Sequence, residues 1–243
     1  MRGAAQGLRR RGAEPALERL RERIVDCRRC PRLVRYREAV ARRKIRRFAQ
    51  WSYWGRPLPG FGDPRARLWV VGLAPAAHGG NRTGRIFTGD RSGDWLYAAL
   101  HRAGFANQPT SVSRDDGLRL RGAWVSAVVR CVPPANRPTT EERDRCLPYL
   151  REELALLDRL RVLVALGGFA FENLVRALRD GGDAPAVRAR FAHGAIVPLA
   201  SGRTLIGCYH PSQQNTFTGR LTEAMLDDVF REARRRAGGA RRR

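Results

Sequence analysis

Four short, almost wholly apolar runs, each followed by a stretch of helical spacing, set what this chain can fold into. They are RLWVVGLA (67–74), AWVSAVVRC (123–131), RVLVALGG (161–168) and RTLIGCYH (203–210). A strand apolar on both faces belongs in a sheet covered on both sides, the habitat of parallel strands. The segments DWLYAALHRAGF (94–105), TTEERDRCLPYLREELALLD (139–158), FAFENLVRALR (169–179) and TEAMLDDVFREARRR (222–236) read as the intervening helices. The second of them opens on Thr139 with Glu142 three residues on, a capping box. This alternation predicts a layered α/β/α fold around a central four-stranded parallel sheet. Ligands in such folds bind past the carboxyl ends of the strands.

With 243 residues and 43% hydrophobic content, the chain suffices for one sizeable core. A single domain is expected over 21–236, between a basic, partly disordered arm (1–20) and a basic disordered tail (237–243). No apolar run approaches the roughly 20 residues of a membrane span. The first 24 residues, MRGAAQGLRRRGAEPALERLRERI, lack the apolar core of a secretory signal. The expectation is a cytoplasmic monomer with no membrane partner.

Basic residues outnumber acidic ones 47 to 23, a formal net charge of +24. Lys44 is the only lysine. A GC-rich genome explains arginine in place of lysine, but not the shortage of acids. An excess this large repels itself unless a polyanion is near, which points to nucleic acid.

Cys27 and Cys30 form C-x-x-C in DCRRCPRL; Cys131 ends the second apolar run, and Cys146 follows on the next helix. In a cytoplasmic chain such thiols read as metal ligands before disulfides. Four thiolates in two clusters suit Zn²⁺ or an iron–sulfur cluster, and the spacing does not choose between them. Four ordinary buried thiols are the plainer alternative. A metal here would staple the N-terminal basic segment to the VPPANRP loop. Cys208 stands apart in an apolar strand and reads as a core residue.

The first strand empties into GLAPAAHGGNRTGRIFTGD (72–90), by composition a floppy, polar loop with an acid at its far end. The fourth empties into HPSQQNTFTGRLT (210–222). These two loops, with the four cysteines at this spacing, resemble the family 5 (type B) uracil-DNA glycosylases of the uracil-DNA glycosylase superfamily. The resemblance covers nearly all of residues 24–232. It implies a prokaryotic, nucleoid-associated repair enzyme that removes uracil, and other deaminated bases such as hypoxanthine, from DNA. It also implies a [4Fe–4S] cluster on Cys27, Cys30, Cys131 and Cys146, with zinc as the alternative.

A glycosylase turns its base out of the duplex into a pocket. Breaking the glycosidic bond leaves positive charge on the sugar, which calls for a carboxylate. It leaves negative charge on the base, which calls for hydrogen-bond donors. Related families carry an acid or amide where this chain has Ala74, so Asp90 is the nearest candidate carboxylate. A helix N-cap is the competing role for Asp90. His210 is the candidate donor to the base. Gly72, Ala74, His78, Asn81, Phe87, Asn136 and Asn215 are candidate substrate contacts, Phe87 by stacking and Asn136 by base reading. Turn formation is the alternative for Asn136. Ala127 stands where a relative often has Asn, which implies weaker base recognition and wider specificity. Gln213, Gln214, Phe217 and Arg220 lie where a loop can wedge into the minor groove.

Two other readings compete. A non-catalytic nucleic-acid-binding protein stabilised by a metal cluster accounts for charge and cysteines but not for the two loops. A zinc nuclease or deaminase is disfavoured, because the chain has no H-x-E partner to its C-x-x-C.

Overall fold

The computed structural model describes the backbone of residues 2–238 and the side chains of residues 14–238. The elements in chain order are α1 (Arg2–Val25), α2 (Pro31–Arg43), β1 (Phe61–Gly62), β2 (Leu68–Gly72), α3 (Gly80–Thr83), α4 (Arg91–Arg102), β3 (Ala123–Ala127), α5 (Thr140–Leu156), β4 (Val162–Leu166), α6 (Gly168–Asp180), β5 (Ile196–Pro198), β6 (Thr204–Cys208), α7 (Gln213–Phe217) and α8 (Glu223–Gly238). The expected α/β architecture is present. The sheet, however, has six strands in the order β1-β3-β2-β4-β6-β5. The inner four are the predicted strands and run parallel, with Val70 opposite both Val125 and Val164. The expected count of four is corrected by β1 and β5, which pair antiparallel at the two edges. Neither edge is visible in the sequence as an apolar run. β1 has two half-buried residues, and β5 is exposed, buried, exposed and ends in proline. Short strands and proline are what sheet edges tolerate.

Every residue of the four inner strands is buried, and alternate side chains supply two cores. Trp69, Val71, Leu163 and Leu205 pack with Leu147, Leu150 and Leu154 of α5 and Phe171 and Leu174 of α6. Leu68, Val70, Val164 and Ile206 pack with Leu96 and Leu100 of α4 and Leu226 and Phe230 of α8. Cys208 belongs to the second core, as expected. Helix α5 starts with the capping box read from the sequence: Thr139 accepts from the Glu142 amide, and Glu142 accepts from the Thr139 amide.

Helix α1 extends through the region expected as an arm, and Leu17 and Leu20 are already buried. Of the expected tail, Ala237 and Gly238 finish α8, and 239–243 lie outside the described residues. Among the described residues no helix is long and apolar enough to cross a membrane.

Candidate active site and cysteine cluster

The chain passes from β2 to the neighbouring β3 and then crosses to β4 on the other side of β2, so a crevice opens at these strand ends. Loop 72–90 leaves β2 and loop 209–222 leaves β6 at this end of the sheet. Contrary to its composition, the first loop is not floppy: Gly79 to Thr88 is buried throughout. Two arginines hold it. Arg82 donates from Nε to the His78 carbonyl (2.7 Å) and from a terminal nitrogen to the Gly89 carbonyl (2.8 Å). Its guanidinium lies over the rings of Phe48 (3.8 Å) and Trp51 (4.1 Å). Arg85 makes a buried ion pair with Asp116 at 2.7 Å and donates to Ser111 and Thr88. Burial alone would raise the Asp116 carboxyl. The Arg85 guanidinium and the amides of Leu118 and Val112 outweigh it and hold the group at about 2.

Asp90 takes the helix-cap role that competed with the catalytic one in the sequence. One carboxylate oxygen caps α4, accepting from the Gly93 amide at 3.0 Å. The other lies against Gly79, where any Cβ would collide with it. Burial pushes its carboxyl above the usual range, and Asp94 adds to that rise. Phe87 holds a left-handed backbone (φ 52°), a strained conformation for a residue with a large side chain. Its ring sits over Gly72, where an added Cβ would meet the ring at 2.5 Å. The far side of this assembly is His210, whose ring centroid is 5.7 Å from that of Phe87. Burial lowers the His210 imidazole to about 4, so it is neutral at physiological pH. Asn215 donates to the His210 carbonyl at 2.8 Å and fixes the turn after β6. Gly167, at the end of β4, abuts His210 from below.

Gly72, Phe87, His210 and Asn215 are thus linked by contacts, and Asp90, three residues beyond Phe87, contacts Gly79 and Gly93. His78 lies on the same loop, with Nδ1 3.0 Å from the Tyr53 hydroxyl. Ala74 is half-buried and packs on the α5–α6 core. Asn81 is turned elsewhere: it is buried and donates to the Arg37 carbonyl of α2 at 3.2 Å. Asn136 is exposed in a turn with Ala135, both left-handed, which matches the turn reading. Gln213, Gln214, Phe217 and Arg220 line the second loop, and Phe217 is 67% exposed. Arg91 covers the Phe217 ring at 4.6 Å, and Arg220 covers Tyr209 at 4.6 Å. Nothing in the loop's polar composition pointed to Arg82 or Arg85, because Arg82 packs on Phe48 and Trp51 and Arg85 pairs with Asp116, in other segments. The paired glycines before Asn81 were the one visible sign of close packing.

The four cysteines are free thiols: Cys27 is half-buried, and Cys30, Cys131 and Cys146 are buried. The charge of Cys27 bears on each of the other three. Among the described residues no three His, Cys, Asp or Glu side chains are placed to hold a single metal ion. A multi-iron cluster spreads its thiolates wider than one zinc ion does, and the donor set is what such a cluster uses. Arg37 supports this fit. It is 2% exposed, makes no ion pair among the described residues, and leaves Nε without a partner. A terminal nitrogen donates to Cys131 Sγ at 3.1 Å and to the Cys27 carbonyl at 3.3 Å. A buried cation without a carboxylate needs an anionic neighbour. Burial pushes the Cys131 thiol to about 12 and the Cys146 thiol to about 11. These thiols are therefore protonated at neutral pH, and a metal bound there would have to displace the proton.

The sequence profile of the uracil DNA glycosylase superfamily matches residues 59–234. The type-5 uracil-DNA glycosylase of Mycobacterium bovis is 58% identical over 216 residues, 88% of this chain and 80% of that protein. That of Thermus thermophilus is 52% identical over 217 residues, 88% of this chain and 95% of its own. That of Pyrobaculum aerophilum is 50% identical over 216 residues, 89% of this chain and 91% of its own. With the profile spanning most of the folded region and the relatives matching across most of their length, the chain belongs to the uracil DNA glycosylase superfamily, in its type-5 branch.

Proposed function

We propose that this chain hydrolyses the N-glycosidic bond of uracil in DNA, and of other deaminated bases such as hypoxanthine. The base is turned out into the crevice between loops 72–90 and 210–220, and an abasic site is left. The observation that carries this reading is the Phe87–His210 contact, which closes the loop bearing Asp90 against the loop bearing His210 at the strand ends. Asp90 supplies a carboxylate for the cationic sugar and its water. His210, neutral through burial, donates an N–H to the oxyanion forming on the base without carrying a charge of its own. Phe87 offers the base a ring to stack on. Gln213, Gln214, Phe217 and Arg220 face the DNA and occupy the space the base leaves.

Cys27, Cys30, Cys131 and Cys146 hold an iron–sulfur cluster in this reading. When bound, it supplies a rigid anionic link between the turn after α1, the start of α2, the loop after β3 and α5. Purified without oxygen, the protein is expected to be brown and to contain iron and labile sulfide; a colourless protein with stoichiometric zinc overturns the cluster.

A duplex containing one uracil tests the activity. Strand scission only after alkali is the expected result. Scission before alkali indicates a nuclease, and binding without scission indicates a non-catalytic DNA-binding protein.

A further inference from the structure

We propose that the segment Arg42–Arg56, between α2 and β1, is a seat for the DNA backbone flanking the pocket. The inference rests on the glycosylase reading for its ligand but not for its test. The segment reads RRKIRRFAQWSYWGR: six basic residues, four aromatic ones and no acid. Arg42, Arg43, Arg46 and Arg47 are exposed. None of the four makes an ion pair among the described residues. Other arginines do find carboxylates, as in Arg28–Glu38, Arg102–Asp227 and Arg176–Asp144, and so does Arg56 at the end of the segment, with Asp26. A run of like charges left uncompensated in a chain already at +24 is repulsive unless a polyanion meets it.

What singles out this basic run is its attachment to the site. The Trp54 amide donates to the Arg82 carbonyl (2.9 Å), and the Gly55 amide to the Asn81 carbonyl (3.0 Å). The Tyr53 hydroxyl meets His78. Phe48 and Trp51 flank the Arg82 guanidinium, which in turn ties down His78 and Gly89, next to Asp90. A phosphate held by Arg43, Arg46 or Arg47 is therefore fixed relative to the carboxylate, with little slack between them. That coupling favours the DNA strand carrying the target over an unrelated acidic partner.

The test is the triple variant Arg43→Gln, Arg46→Gln, Arg47→Gln, with Arg179→Gln, Arg188→Gln, Arg190→Gln as a control of equal charge at exposed positions outside the segment. Binding to a uracil-free duplex is followed by fluorescence anisotropy across a salt series. The slope of log K against log salt should fall in magnitude by about 0.9 for each phosphate that the variant no longer neutralises. The duplex concentration that half-saturates single-turnover cleavage of uracil-containing DNA should rise in step. A slope equal to the parent's, or one reduced as much by the control triple, overturns the seat. Weakened binding to RNA of the same length but not to DNA overturns the choice of ligand. Because the slope is read on DNA without uracil, an inactive protein would sink the glycosylase reading and leave this result standing.

Discussion

Loops 72–90 and 209–222 leave parallel strands at the same end of one sheet, yet they are built in opposite ways. The first is packed like a core although its residues are polar: Gly79 to Thr88 is buried, and Arg82 and Arg85 fill it with hydrogen bonds. The second is an open turn whose helix α7 has no buried residue. Ser212 accepts from the Asn215 amide, Asn215 donates to the His210 carbonyl, and Leu221 anchors the far end in the core. The difference suits the two tasks proposed for them. A charge that acts on a forming cation must not move away, which calls for a rigid, preorganised loop. A surface that enters a groove must adapt to it and can remain lightly attached.

The largest expected effect isolates the chemistry of the rigid loop from its stability. Asp90→Asn keeps size and capping, because Asn caps about as well as Asp. It should lower single-turnover cleavage by about 10²–10⁴, the range of a lost acid–base group. For pH dependence, burial raises the Asp90 carboxyl in the folded protein. The carboxylate form, and with it activity, therefore sets in at a higher pH than for an ordinary Asp. His210, already neutral above about 4, adds no further limb near neutrality. A variant as active as the parent returns Asp90 to capping alone and shifts attention to His78 as the donor on this loop.

Next in size, Arg85→Met breaks the rigid loop itself. It leaves Asp116 with no cation in a largely buried site, and losing one partner of a buried pair costs about 3–5 kcal/mol. Urea unfolding should show that loss, and cleavage should fall through the displaced loop. Asp116 gives the matching acid signature. Its folded value of about 2 lies below its unfolded one, so the stability it contributes is present above the unfolded value and disappears as pH falls through about 2. A stability change under about 1 kcal/mol, well short of a broken buried pair, would mean the loop is held by something other than this pair.

The smallest effect belongs to the adaptable loop. Phe217→Ala removes an exposed ring and should barely move the melting temperature, since surface substitutions stay within about 0.5 kcal/mol. DNA affinity should drop by about 1–3 kcal/mol if the ring stacks on a base. Unaltered affinity in an anisotropy titration would leave Phe217 with no role beyond its contact with Arg91, and would narrow the contrast between the loops.

The same contrast explains how much of the molecule is legible from sequence. The four inner strands can be read because Leu68–Gly72, Ala123–Ala127, Val162–Leu166 and Thr204–Cys208 are buried on both faces and so contain almost nothing polar. Helix α2 escapes such a reading because only three of its thirteen residues are buried and one of those is Arg37, so it contains no long apolar run. The packing of loop 72–90 is hidden for a similar reason: Arg85 is satisfied by Asp116, 31 positions away, and polar composition alone signals a surface. Asn81 and Asn136 show the limit for single residues. An amide in a promising loop serves as a tether to α2 in one case and as a turn in the other. His210, Phe87 and Asp90 are singled out because the resemblance marks whole loops, while the seating of Phe87 and of Asp90 depends on Gly72 and Gly79 having no side chains.

The enclosure of Asp90 also bears on how this protein would respond to selection. A carboxyl whose folded value is raised favours the folded state below its unfolded value, and that benefit is lost as pH rises through the folded one. At neutral pH the ionised side chain is a burden on the fold, and Asn at this position removes the burden while preserving the cap. A library sorted for heat resistance alone would therefore enrich sequences that have given up the charge at position 90. With Asp90 in its proposed catalytic role, the most robust survivors would have lost glycosylase activity, so sorting for robustness has to be paired at every round with a screen for abasic-site formation.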